Sequence, residues 1–370
     1  MSKQLQIRGG TTAEHSTFTG AEREITVDTD KNTVVVHNGA KAGGYPLALW
    51  SDITADKTVT VGDTGDYATI NEALTELSKL YPLYKQSGYT VEVKLLAGFI
   101  MKEQVIIKGI DLGWISITGE DAETTIDAGS FVDIPSLEYH NTNTPTFSVK
   151  NGVLPTIGQL FTTINGGSEN NGIHLENSKC KVLASCGVKN VGQHGIIATQ
   201  SSSADIRESI FSGASSHGIY AVNGSTINAK GADASGAGAR GIFATGNSTI
   251  NAQNANASGT GGYGIEAAYG SVVNANSADA SNSASFGIIA NSASVISARS
   301  ATATNTGNYS IIAEYNSHIA ADYSNCSTDG DPTEEYAVIR GSTLSIEGAS
   351  GETDTNISVN TLDASGIIYQ

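Results

Sequence analysis

Apolar residues return along the middle of this chain with a period of 23. A Gly-Ile pair marks each turn of the pattern: Gly172-Ile173, Gly195-Ile196, Gly218-Ile219, Gly241-Ile242, Gly264-Ile265 and Gly287-Ile288, with Ser310-Ile311 continuing it. With the Gly as position 0, position 1 is always Ile, and position 3 runs from Leu175 through Ala198, Ala221, Ala244, Ala267 and Ala290 to Ala313. Position 9 is apolar from Ile227 onward, position 11 runs from Leu183 and Ile206 to Ala229 and beyond, and positions 14 and 16 carry pairs such as Ala232 and Ala234. Each pair is spaced by two, the period at which side chains of a strand share a face. Three short strands per 23-residue turn predict a three-sided parallel β-helix. A two-helix repeat needs a longer unit with i, i+3, i+4 runs, and the Gly, Ser, Thr and Asn abundant here are poor helix formers.

Stacking turns one strand spacing apart, about 4.8 Å, places like residues on like. The interior becomes ladders of Ile and Ala, a thin core in which each coil depends on its neighbours. Alternation assigns position 22 (His194, His217, Arg240, Tyr263, Phe286, Tyr309) to the inward face as a corner stack. It assigns position 2 to the outside, where Ile197, Tyr220, Phe243, Ile289 and Ile312 make an apolar stripe interrupted by Glu266. An apolar stripe of that length on a surface marks an interface. The expectation is that these five residues lie between parallel copies of the chain.

The rest of the chain divides around the repeat. Residues 1–50 read as a small β module: Glu24–Asp28 and Thr33–His37 are two strands around a four-residue turn, with Asn38-Gly39 and Ala42-Gly43-Gly44 as further turns. It is too small for a large core and calls for self-association or a partner. Residues 51–82 form a joint and an amphipathic helix, with Ile70, Ala73, Leu74, Leu77 and Leu80 on one stripe and Thr69 or Asn71 as its cap. Residues 83–171 read as irregular coils, 172–336 as the regular β-helix, and 337–370 as degenerate terminal coils. After Ser310 the period lengthens to 27 at Ala337-Val338, with the extra residues in Ser327–Tyr336.

Gly10–Ala48, reading GTTAEHSTFTGAEREITVDTDKNTVVVHNGAKAGGYPLA, resembles the N-terminal module of phage tail fibres and tailspikes of the major tropism determinant type. Arg23 departs from the Gly often found there. The helix leading into irregular coils resembles the opening of pectate-lyase-type β-helices. Together these resemblances imply an all-β chain, a small N-terminal β module followed by a right-handed parallel β-helix. They imply a homotrimer in the virion tail, attached to a tail or baseplate protein through residues 1–50, with the β-helix in contact with a host cell-surface glycan or protein and the five position-2 residues at the trimer interface.

Composition removes some classes. The 370 residues carry a net charge of −17, which argues against nucleic acid and anionic membranes. No apolar run reaches a spanning length, so no membrane insertion is expected, and MSKQLQIRGG lacks a signal-peptide core. Cys180, Cys186 and Cys326 suit no disulfide framework; Cys186 and Cys326 fall at inward positions 14 and 16.

Candidate chemistry is sparse, and no cofactor is expected. Asp233 and Asp279 share position 15 two coils apart, a backbone separation of about 9.6 Å, close to the upper carboxyl separation of an inverting glycosidase. They would serve the alternative of a tailspike depolymerase; Asp and Asn also decorate any solvated face. Asp329, Asp331, Glu334 and Glu335 gather in the inserted loop as oxygen ligands for a hard cation, but match no standard loop spacing. His174, His194 and His217 make no Cys/His metal set. A receptor-binding tail fibre is preferred to the depolymerase because the repeats lack the long loops that build a glycan cleft. A bacterial surface adhesin is the remote third reading.

Overall fold

The computed structural model describes residues 7–47, 51–53, 55–81, 88–132, 144–326, 335–349 and 367–369. They fall into two compact units, Met1–Ala55 with Thr75–Tyr89, and Asp56–Leu74 with Thr90–Gln370.

The smaller unit is built on a four-stranded sheet of β1 (Gly9–Gly10), β2 (Glu22–Asp28), β3 (Thr33–Asn38) and β4 (Tyr45–Pro46), with α1 (Thr12–Thr17) after β1. The expected hairpin is present: β2 and β3 are antiparallel with Asp28 opposite Thr33. Asp28 Oδ1 accepts the Asp30 and Lys31 N–H groups and closes the turn. The register slips between Glu22 and Ile25, where Arg23 takes φ 68°. A left-handed residue at a bulge is a place for Gly, which gives a physical meaning to that departure. Helix α1 was not legible as a helix, being six residues long. A capping box holds its start, with Thr11 accepting from the Glu14 N–H while Glu14 accepts from that of Thr11.

The larger unit is a right-handed β-helix of parallel strands. One face is a ten-stranded sheet running from Val105–Lys108 to Tyr336–Val338, with Ile196, Ile219, Ile242, Ile265, Ile288 and Ile311 stacked in register. A second face is a nine-stranded sheet from Lys179–Lys181 to Ile367–Tyr369. The third begins as a sheet ending at Gly187–Lys189 and continues as single parallel bridges, Ile210 to Asp233, Asn256, Asp279, Thr302 and Asn325. The third strand of the regular coil thus shrinks to one residue, because a left-handed corner precedes it at position 13 and another follows at position 18. Position 5 is left-handed too, so Gly, Asn and Ser occupy most of the corners, in keeping with the composition.

The inward columns are fully buried: Ile219, Ala221, Ile227, Ala229, Ala232 and Ala234 in one coil. A serine ladder runs beside them at one corner. Ser178, Ser202, Ser225, Ser248, Ser271, Ser294, Ser317 and Ser342 are buried, and each Oγ from Ser202 on accepts the N–H of the serine one coil earlier, at 3.0–3.2 Å. These bonds satisfy buried donors that the turn leaves without strand partners.

Three details differ from the columns read along the chain. Cys180 pairs with Ala204, one residue out of the 23-residue step, so Val182 is the buried residue and Leu183 is exposed. Cys186 is only half-buried, whereas Cys180 and Cys326 are buried. At the far end Ile311 pairs with Tyr336, Ile312 with Ala337 and Ala313 with Val338. The offset there is 25 and not 27, so Tyr336 takes the Ile column, and the shift is two residues because hydrogen-bond register, not a Gly-Ile look-alike, sets the column.

Helix α2 (Ile70–Leu77) buries Ile70, Ala73, Leu74 and Leu77. Thr69 is its cap: its Oγ1 accepts from the Glu72 N–H at 3.2 Å, and the Glu72 carboxylate accepts from the Thr69 N–H. The Glu103 carboxylate accepts from the Ile70 and Asn71 N–H groups at 2.5 and 3.1 Å, while burial raises its pKa.

Candidate functional site

The outer side of the ten-stranded sheet carries the richest chemistry, and its geometry starts at the Gly column. A methyl group on Gly218 would come within 2.8 Å of Ala234 Cβ and of the Gly241 carbonyl oxygen, and Gly241 and Gly264 are as tight. The Gly and the Ile after it therefore both face the core. The alternation resets there, and position 22 turns outward, contrary to simple alternation. Its side chains join position 2: the Tyr220 ring lies 5.2 and 5.0 Å from His194 and His217 and stacks on Phe243 at 5.0 Å.

The position-2 stripe is consequently covered within one chain. Ile197, Tyr220 and Val222 form one buried cluster with Phe243 packed on it. Ile289, Ile312 and Ala337 form another, under Tyr263, Phe286, Tyr309 and Ile339. Between them Glu266 is buried, paired with Arg240 and accepting from Asn291 Nδ2 at 2.8 Å. Arg240 also lies over the Phe243 and Tyr263 rings. The exposed apolar stripe read from the sequence is thus an outer layer of the fold itself, with Phe243, Tyr263, Phe286 and Tyr309 half-buried at its rim and His194 and His217 buried. His194 and His217 stack at 4.8 Å. Burial, reinforced by the Arg240 charge, pushes the His217 pKa down to about 3.

Asp233 and Asp279 lie in one column with Asn256 between them, half-buried. Asp233 Oδ1 accepts from the Ser235 N–H and from Asn256 Nδ2, both at 3.1 Å; Asp279 Oδ1 accepts from the Ser281 N–H at 2.9 Å. Both carboxylates close their own corner turns. Of the acidic loop candidates, Asp329, Asp331 and Glu334 lie outside the described residues. Glu335 is half-buried, and its carbonyl accepts from the Ile311 N–H. No cluster of three metal-ligating side chains occurs among the described residues, and no helix among them is long and apolar enough to cross a membrane.

In the small unit the interior is polar. His15 Nδ1 lies 3.0 Å from the Thr11 carbonyl oxygen, His15 Nε2 lies 2.8 Å from Thr26 Oγ1, and Thr26 Oγ1 lies 2.9 Å from His37 Nε2. The Gly20 N–H donates to His37 Nδ1 at 3.3 Å. One proton per ring satisfies the whole chain: His37 donates to Thr26, Thr26 to His15, and His15 to the Thr11 carbonyl. The opposite face of the sheet carries Ile25, Val36 and Tyr45 in one cross-strand row, each more than a third exposed, with Leu47 exposed and Val27 and Val34 half-buried. The module's shortage of core is visible in its sequence, but the face that lacks cover is not. The signal was the run of alternate apolar residues Ile25, Val27, Val34 and Val36 opposite polar Thr26, Asp28, Thr33 and His37.

A right-handed stack of parallel coils with ladders inside and a layered outer face defines a class. The family described as right handed beta helix region matches residues 123–257 and 163–327, together more than half of the chain. The chain belongs to the right-handed β-helix proteins. Its N-terminal module matches a second family, the major tropism determinant N-terminal domain, over residues 5–41. It is 79% identical over 48 residues to the tail fiber receptor-binding protein of Bordetella phage BPP-1, a stretch that is 13% of this chain and 13% of that protein. The solved structure of the major tropism determinant M1 variant matches at 80% identity over 12% of each chain, with a TM-score of 0.12. The Dettilon tailspike structure is similar over 81% of this chain and 64% of that one, at 12% identity and a TM-score of 0.44. The chain therefore spans only about an eighth of the length of the relatives matching its N-terminus.

Proposed function

We propose that this chain is a phage tail fibre of the receptor-binding kind, located in the virion tail. Residues 1–50 attach it to a tail or baseplate protein, and its β-helix meets the host surface as a homotrimer. The observation that carries the reading is the N-terminal module, 79% identical over 48 residues to part of a tail fibre receptor-binding protein. The module's apolar face supports self-association: Ile25, Val36 and Tyr45 stand exposed in one row on a unit whose interior is polar. In the β-helix, contact between copies would fall on the half-buried rim rings, Phe243 among them, with Ile197, Tyr220, Ile289 and Ile312 beneath.

Light scattering on the purified chain is expected to give three copies, and Val36→Asp, which puts a charge in the middle of the apolar row, is expected to give the monomer. A monomeric native chain removes the trimer. Antibody against residues 172–326 is expected to block adsorption of the phage that encodes the chain; unimpeded adsorption, with the antibody bound to the virion, removes the receptor-binding role.

A further inference from the structure

The left-handed corner at position 5 changes character along the β-helix. Early coils place Asn177, Gln200, Asn223 and Gly246 there; later coils place Tyr269, Ser292, Tyr315 and Arg340. Tyr269 and Tyr315 have φ of 50° and 55°, and they are 67% and 45% exposed. A bulky residue in this region is a conformational outlier where Asn or Gly fits more easily. Neither ring is placed in the core in return. An outlier that the fold does not need points to a function.

The column is straight and regular. Gly270 N–H donates to the Ser292 carbonyl, Ala293 to Tyr315 and Asn316 to Arg340, one coil per step. Tyr269 and Tyr315 are thus two coils apart, about 9.6 Å, with only a serine side chain between them. Arg340 lies over the Tyr315 ring at 4.2 Å from its centroid, bracing it while keeping guanidinium donors. Val272 and Val295, three residues past the corner, are also exposed, at 44% and 41%.

We infer that this strip is a binding site for an extended polysaccharide lying along the β-helix axis. Two ring faces with a gap of one coil match the stride of two pyranose rings in an extended chain. The apolar CH faces of alternate sugars rest on Tyr269 and Tyr315, and hydroxyls reach Arg340. A ligand that repeats suits a surface that repeats. The inference rests on the receptor-binding reading and names its ligand class and place.

The test uses the intact chain on a printed panel of bacterial capsular and O-antigen polysaccharides, with calorimetry on each bound polysaccharide and a parallel host-cell adsorption assay. Tyr269→Asn and Tyr315→Asn suit the left-handed corner, so both should melt no lower than the native chain. Each is expected to bind about tenfold more weakly or worse, the loss of one aromatic anchor. Tyr269→Phe keeps the ring face and is expected to bind within about threefold of native. Unchanged binding in the double Asn variant overturns the strip while leaving receptor binding intact. A native chain that adsorbs to cells but binds no polysaccharide overturns the ligand class alone, and one that does neither overturns both readings. A lower oligomer mass in the Asn variants makes the strip an interface between copies and overturns the proposal.

Discussion

The two units of this chain are inside-out with respect to each other. The β-helix buries Ile and Ala columns and turns Asn, Asp, Ser and Thr outward at most positions. The N-terminal module buries His15, Thr26, Asp28, Thr33 and His37, with Val35 the one large apolar residue buried among its residues 7–47, and exposes Ile25, Val36, Tyr45 and Leu47. Each unit therefore holds together in its own way. A coil gains burial from the coils above and below and needs no partner outside the chain. The module has too little apolar surface inside to offset its ordering, so hydrogen bonds define its interior and its apolar face waits for cover.

The β-helix core is where a single substitution should cost most. Ile265→Ala removes a fully buried rung between Ile242 and Ile288 and is expected to cost about 3 kcal/mol. Chemical denaturation should register this as lost stability of the β-helix, with amide exchange in the module unchanged. An effect below about 1 kcal/mol would mean that the ladder is not the source of strength.

Next in size is acid sensitivity on the outer flank of the β-helix. His217 titrates near its usual 6.5 when unfolded and at about 3 when folded, because burial and Arg240 disfavour its charge. The unfolded chain therefore binds the extra proton first. Stability is complete above pH 6.5 and falls as pH drops from 6.5 toward 3, by about 2 kcal/mol at pH 5. His217→Phe, which matches the aromatic character of its column, should flatten the pH dependence of the melting temperature over that window. A slope equal to native would assign it elsewhere.

In the module, Thr26→Val keeps the shape but strands the Nε2 atoms of His15 and His37. The expected cost is about 1–3 kcal/mol, read as faster amide exchange in Glu22–Asp28 while the serine-ladder amides stay protected. If the module is unaffected, its polar interior is incidental. The smallest effect has the opposite sign. Arg23→Gly relieves a left-handed residue at the bulge and should stabilise the module by about 1 kcal/mol in the same exchange measurement.

Much of the fold was legible because parallel stacking turns a sequence period into spatial neighbours. The Gly-Ile repeat, the inward columns and the N-terminal hairpin needed no more than spacing. The misread positions share one cause. Position 22, Leu183, Cys186 and Ala337 were assigned by counting, and counting fails wherever a tight contact or a register slip resets the alternation. The candidate site suffered most. Asp233 and Asp279 do share a column, as spacing required, but each carboxylate closes a corner turn.

Spacing along the chain is enough to require a stack of 23-residue coils behind a small β module, because like residues recur where a strand period demands them. Tertiary structure decided which surfaces are free. Close packing of Gly218 against Ala234 and Gly241 turned the aromatic column outward over the apolar stripe. The fold of α1 onto a polar sheet face left the other face bare. The left-handed corner set Tyr269 and Tyr315 out in solvent. The first two outcomes depend on contacts between residues 11 to 23 positions apart, whose closeness spacing alone does not show.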